Sequence, residues 1–297
     1  MKTELLNFLL VFLILTSCTT KDEKTETSSL IQTSVLKTET LPYKLEINKN
    51  DSLSYIGFVE SFYPNNELYV EMYFKKDNID FDEYDKISKR GDSIIYADDE
   101  NRRTRIPSEI ANKYFDLSGL EPLLIFDKNN KLIAKAHVNR IEYLDQNISP
   151  YFIGVFTTEN PIKGKAEYCI GNFNTNLPDM IYDNINDSLL TKLIADKFKI
   201  THVQARHYKT HNSDNVLSVI NSENNSHVFE VIDSEIKLLY KSHENEHIQK
   251  IIFVPKTINN KPVLLTQCYM PDSDQEWDNV LVFDGSKYLV ANRQRIK

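Results

Sequence analysis

Short runs of β-branched and aromatic residues, each bounded by polar clusters rich in Asn and Asp, recur from residue 53 to residue 283. Runs of this length with turn residues between them pair into antiparallel hairpins and leave little room for a helical architecture. The runs fall at 53–62, 67–74, 123–126, 132–138, 151–156, 228–232, 236–240, 248–254, 262–268 and 280–283. Turn chemistry joins several of them: Pro64-Asn65-Asn66, Asp127-Lys128-Asn129-Asn130, Asp233-Ser234, Asn259-Asn260-Lys261 and Asp284-Gly285-Ser286. The chain has only seven glycines, so its left-handed turn positions must fall largely to Asn and Asp. The same scarcity excludes a Gly-rich phosphate cradle, since neither GxGxxG nor GxxxxGK[ST] is present.

Two helical segments interrupt the pattern. Residues 108–115 follow Pro107, with Ser108 near the N-cap. Asp187 can cap a second helix, in which Leu189, Leu190, Leu193, Ile194 and Phe198 share one face for packing against a sheet. The polar, breaker-rich interval 172–186 divides a β-rich domain at 41–175 from a second at 176–297, which carries one N-terminal helix and is α+β in character. The expected fold is therefore mainly β, built from antiparallel hairpins in a sandwich or barrel-like arrangement with two short helices. A formal net charge of −8 argues against nucleic acid as a partner.

The N-terminus has a separate logic. Residues 5–15 are apolar except for Asn7, follow Lys2 and Glu4, and are too few to cross a bilayer, which takes about 18–20 apolar residues. Leu15-Thr16-Ser17-Cys18 resembles the lipobox of bacterial lipoproteins. That resemblance implies a signal peptide at 1–17 and makes Cys18 the first mature residue, carrying acyl chains such as palmitate. Each buried CH₂ contributes about 0.8 kcal/mol, so two or three chains hold a protein on a membrane without a spanning helix. Residues 18–40 are rich in Ser and Thr and form a disordered tether, with a reach of roughly 25 Å as a random coil. Thr19 followed by Lys21-Asp22-Glu23 resembles the outer-membrane and surface-export signals of Bacteroidota lipoproteins.

His243-Glu244-Asn245-Glu246-His247 satisfies the HExxH pattern. On a helix, His243 and His247 would share a face and hold zinc, Glu244 would act as general base, and Glu276 is the candidate third ligand of a zinc-dependent hydrolase. The surrounding hairpin pattern instead places 243–247 in a polar turn, and Glu246 is a charge where zinc peptidases resembling this motif keep an uncharged residue. The expectation is a non-enzymatic module without a cofactor, with the zinc hydrolase as its alternative.

The remaining candidates have ordinary readings. His202, His207 and His211 are read as exposed strand and loop histidines; in a strand, the last two share a face about 13 Å apart, too far to chelate one ion together. The acidic stretches 77–85 and 272–276 are read as solvated loops, because both lack the Gly and the closing Glu of an EF-hand loop. Cys169 and Cys268 are either bridged or separately buried, and neither has the local signature of a catalytic thiol. Trp277 is the first aromatic to test as a ligand contact. These readings describe a membrane-anchored envelope lipoprotein that binds or scaffolds an envelope protein or a glycan and touches the bilayer through Cys18.

Overall fold

The computed structural model describes residues 43–47, 54–62, 67–76, 79–89, 92–94, 102–145, 151–172, 181–211, 214–273, 275–291 and 295–296. The signal segment, Cys18, the tether, the turn Pro64-Asn65-Asn66 and the interval 173–180 lie outside the described residues. In chain order the first half holds β1 (Ser54–Phe58), β2 (Glu60–Phe62), β3 (Glu67–Glu71), α1 (Phe81–Ser88), β4 (Asp92–Ile94), β5 (Arg102–Arg105) and α2 (Ser108–Tyr114). It continues with β6 (Leu123–Phe126), β7 (Leu132–Asp145), β8 (Tyr151–Thr158) and β9 (Tyr168–Gly171). The second half holds β10 (Tyr182–Ile185), α3 (Ser188–Phe198), β11 (Gln204–Thr210), β12 (Val216–Asn221), β13 (Ser226–Ile232) and β14 (Glu235–Lys241). It ends with β15 (His247–Ile258), β16 (Lys261–Tyr269), β17 (Glu276–Phe283), β18 (Tyr288–Val290) and β19 (Arg295–Ile296).

The fold is mainly β, as the hairpin pattern predicts. Three antiparallel sheets form: one of ten strands running β19-β1-β9-β6-β7-β8-β3-β2 with β5 paired to β7 and β4 to β5, one of five running β10 to β14, and one of four running β15 to β18. The large sheet nearly closes on itself. Apart from the two-residue β19, which pairs with the start of β1, its end strands β1 and β2 are two halves of one extended run broken only at Val59, so the sheet begins and ends on nearly the same piece of chain.

Period-two alternation decides what each face meets. In the four-stranded sheet, Ile252, Val254, Val263, Leu265 and Val280 pack on Ile56, Phe58, Leu124, Phe126, Tyr168 and Ile170, which form the outer face of the barrel wall. Their neighbours in sequence, Ile251, Phe253, Leu264 and Leu281, turn the other way onto Leu217, Val219, Val228 and Leu239 of the five-stranded sheet. This sheet is therefore buried on both faces, which is why its strands read as continuous apolar runs. Full burial of each such side chain contributes roughly 1.5–3 kcal/mol. Inside the barrel, Val70, Met72, Leu123, Ile125, Ile141 and Phe152 close around Phe115 and Leu120. The chain from Thr38 to Lys297 forms one body, and its cores join strands from both sides of residue 175.

Left-handed turn positions fall to the expected residues. Asp233 and Ser234 have φ of 47° and 71°, and Asn259 and Asn260 have 50° and 62°, so each pair forms a two-residue turn whose twist matches the flanking strands. Gly171 marks a close approach: a Cβ there would collide with the carbonyl oxygen of Gly119.

Two helix expectations need correction. The acidic stretch 77–85 is not a loop from residue 81 on. Asp80 accepts the Glu83 N–H at 2.7 Å and caps α1, whose first turn holds Asp82 and Glu83 where the helix dipole favours negative charge. The helix expected after Pro107 forms as α2 with Ser108 as its first residue, next to the N-cap Pro107, which supplies no side-chain bond. Asp187 does cap α3, its carboxylate accepting the Leu190 N–H at 2.8 Å, but the buried stripe is narrower than expected. Leu190 and Ile194 are buried and Phe198 packs beside them, whereas Leu189 and Leu193 remain 80% and 52% exposed.

Candidate functional site

The barrel wall opens beside β2, and the chain explains why. Val59 donates its N–H to the Glu167 carbonyl at 3.1 Å, after which β2 and the segment 161–167 part company. Between them lies a cleft of about 920 Å³, within the range of small-ligand and peptide sites. Its inner wall is apolar, with Leu68, Phe156 and Ile162; its outer wall is polar, with Glu60, Lys250 and Gln267.

Lys250 and Gln267 reach this wall because the apolar face of the four-stranded sheet changes character at its end. Lys250 pairs in register with Gln267, and Gln267 with Asp278, so the three form one polar row across β15, β16 and β17. Lys250 Nζ donates to Glu167 Oε2 at 2.5 Å and lies 4.6 Å from the centre of the Phe58 ring. Lys165 holds the other Glu167 oxygen at 3.2 Å. Burial works to raise the Glu167 pKa, but the hydrogen bonds from the two lysines outweigh it and hold the carboxyl below its ordinary value.

A second network stiffens the rim at Glu67. Arg103, almost fully buried, donates from Nε to Glu142 at 2.6 Å and from a terminal nitrogen to Glu67 at 2.8 Å. Arg140 bridges the same two carboxylates, at 2.5 Å to Glu142 and 2.6 Å to Glu67. Burial raises and the two arginines lower the Glu67 pKa, and the arginines win.

The third feature is an acidic cluster that continues from Glu60, on the cleft, to Glu71 and Asp278 beyond its lining. Tyr69 donates to Glu60 at 2.5 Å and Tyr73 to Glu71 at 2.9 Å. Asp278 faces both glutamates. Burial first, then Glu71 and Glu60, push its pKa up to about 8, while Lys250 pulls the other way. Asp278 is thus largely protonated at neutral pH and presents a hydroxyl rather than a charge. Burial also raises Glu71, against the hydrogen bond from Tyr73.

The residues singled out from sequence lie elsewhere. The HENEH segment is the turn between β14 and β15, so the helical spacing that zinc chemistry needs is not formed. His243 and Glu244 are exposed there, Asn245 adopts φ of 61°, and His247 is buried at the start of β15. Glu276 stands two strands away from His247, with Tyr269 in register between them, which puts it roughly 10 Å off. Among the described residues, no group of three or more His, Cys, Asp or Glu is placed to hold a metal ion.

His207 is not exposed, contrary to the reading of 202–211. It is buried beneath α3, with its ring nitrogens 2.8 Å from the hydroxyls of Thr191 and Ser218. His211 is exposed and pairs with Asp183 at 2.6 Å. Cys169 and Cys268 are separate buried thiols in different cores, the first inside the barrel and the second between the smaller sheets. Trp277 packs against that second core and does not line the cleft. In the stretch 272–276, Asp272, Ser273, Gln275 and Glu276 are exposed, and Asp274 lies outside the described residues.

Sequence reasoning missed Glu60, Glu167, Lys250 and Gln267 as a group. No local signal marks them, since Glu60 is exposed in β2, Glu167 just precedes β9, and Lys250 and Gln267 lie within β15 and β16. No family model, curated protein or solved structure matches the chain.

Proposed function

We propose that this chain is a lipoprotein held on the outer membrane by acylated Cys18, and that its β-rich body binds an envelope component in the seam cleft without catalysing a reaction. The lipobox and the Ser/Thr-rich tether support the anchoring. The observation that carries the binding reading is the state of the cleft's charges. Glu167 is fixed between two lysines and Glu67 between two arginines, so the walls are preset in shape and none of these groups is free to shuttle protons or attack a substrate. The partner class is an envelope protein or a glycan.

Two experiments test this in the cells that make the protein. Palmitate labelling and membrane fractionation should follow the full chain and be lost in Cys18→Ala; a variant that still labels and fractionates with membranes overturns the anchoring. A photo-crosslinking residue at Thr157, on the cleft rim, should capture an envelope component that the same residue at Glu235 does not. If both positions capture the same material, or neither captures any, the cleft is not the binding site.

A further inference from the structure

We infer that the cleft's ligand is an extended peptide strand, which inserts beside β2 and completes the barrel wall. The inference rests on the binding reading above and names its ligand class.

Backbone alternation carries the argument. One residue past β3, Met72 donates its N–H to the Phe152 carbonyl at 2.8 Å, so Met72, Val70 and Leu68 turn their backbone groups toward β8, and Tyr69 and Glu67 turn theirs toward β2. Tyr69 and Glu67 stand in register with Glu60 and Phe62, and Ser61 stands opposite Leu68. The Ser61 N–H and C=O therefore point away from β3. The other side agrees: Val59 points its N–H at Glu167, and two residues on, Ser61 points the same way, into the space where the segment 161–167 has turned aside. Among the described residues no strand pairs with this side of β2, so the cleft is a strand-wide gap that β2 borders as its edge.

Size and side-chain chemistry describe the occupant. An extended strand takes roughly 3.4 by 4.8 by 10 Å per residue, so the cleft holds about five or six residues. A strand lying there would point alternate side chains to the apolar wall of Leu68, Phe156 and Ile162 and to the polar wall of Glu60, Lys250 and Gln267. Lys250 is engaged by Glu167, whereas among the described residues no cation pairs with Glu60, whose carboxylate accepts from Tyr69 alone. The occupant is thus a peptide of alternating apolar and polar residues with a basic side chain facing Glu60. Strand addition of this kind takes its affinity from main-chain hydrogen bonds and its selectivity from the alternate pockets.

The probe is acetyl-Lys-Val-Lys-Val-Lys-Val-amide, titrated against the full chain in detergent and read by calorimetry. Saturable binding below about 1 mM is expected. Of two versions N-methylated at alternate amides, at least one should bind about tenfold more weakly, since it loses the groups that meet Ser61. Ser61→Pro should do the same, because the N–H it removes serves no ladder bond, and Ser61→Ala should bind like the parent. Glu60→Gln should weaken the Lys-Val peptide and leave the Gln-Val analogue unchanged. If Ser61→Pro does not fold, the methylated peptides decide on the unaltered chain. Absence of binding, or equal binding of all methylated forms, overturns the inference. At Thr157, crosslinking to a glycan or lipid instead of a polypeptide overturns it while leaving the binding reading intact; no crosslink at all removes both.

Discussion

Lys250 and Asp278 lie on the same face of the four-stranded sheet, each in register with Gln267 between them, and both meet glutamates of the barrel, which attract the first and repel the second. Lys250 finds Glu167, whereas Asp278 finds Glu60 and Glu71. One polar row thus joins the two layers through an ion pair at one end and through a carboxyl kept protonated at the other. Apolar packing holds the rest of this interface, so the row sets its pH response without supplying most of its strength.

Asp278 gives the first prediction. Its folded pKa, about 8, lies above the unfolded value, so between pH 4 and 8 the native state binds more protons than the unfolded one. Stability contributed by this group is full below about pH 4 and declines as pH rises toward 8. Asp278→Asn should remove that slope and be more stable than the parent at pH 8, by roughly 2 kcal/mol, below the full linkage value because the side chain keeps some solvent contact. Urea unfolding at pH 5 and pH 8 measures it; an unchanged slope in the variant would sink the assignment.

The Arg103 network gives the second. Glu142 is fully buried, and its removal leaves two guanidinium groups short of a partner, one of them almost fully buried. Stripping one member from a buried ion cluster costs about 3–5 kcal/mol. Glu142→Leu should lower Tm sharply, while Glu142→Leu combined with Arg103→Met should recover part of the loss. Double-mutant thermal unfolding reads this directly, and additive losses would contradict the coupling.

Legibility in the sequence varied with how local each cause was. Turns at Asp233-Ser234 and Asn259-Asn260 and the Asp187 cap were readable because one or two adjacent residues determine them. The helix α1 was obscured because Asp80, Asp82 and Glu83 favour a helix start and an acidic loop equally, until the backbone shows which. The cleft was not legible at all. Glu60, Glu167 and Lys250 are far apart in the chain, and a lone charge at the end of a strand looks the same in sequence whether it meets water or a partner sheet.

Helix α3 gives a third prediction, on how narrow its buried stripe is. Leu189 and Leu193 are apolar but exposed, so Leu189→Ser and Leu193→Lys should each change stability by less than about 0.5 kcal/mol. Ile194, fully buried against Ile220 and Phe229, should cost about 2–4 kcal/mol as Ile194→Ala. Chemical unfolding of the three variants separates them. A large loss at Leu193 would mean that the helix buries the broader face that its sequence offers.

His207 gives the last prediction and places acid sensitivity beneath the same helix. Burial lowers its pKa, against the opposing pull of Asp187, so the folded state holds the ring neutral. The Thr191 and Ser218 hydroxyls, each 2.8 Å from a ring nitrogen, can satisfy one donor and one acceptor, which suits the neutral form. A His with a depressed folded pKa contributes stability above its unfolded value of about 6.5, and that contribution is lost as pH falls below it. His227, lowered by burial and by Lys241, acts in the same direction. Between pH 7 and 5.5 the parent should therefore lose stability while Asp278 acts oppositely, so the test needs the single group. His207→Gln, which keeps a donor and an acceptor but cannot charge, should show a smaller loss over that interval than the parent. Proton NMR of the His207 ring should place its titration below the ordinary imidazole value of about 6.5, and a midpoint at or above that value would contradict the buried neutral state.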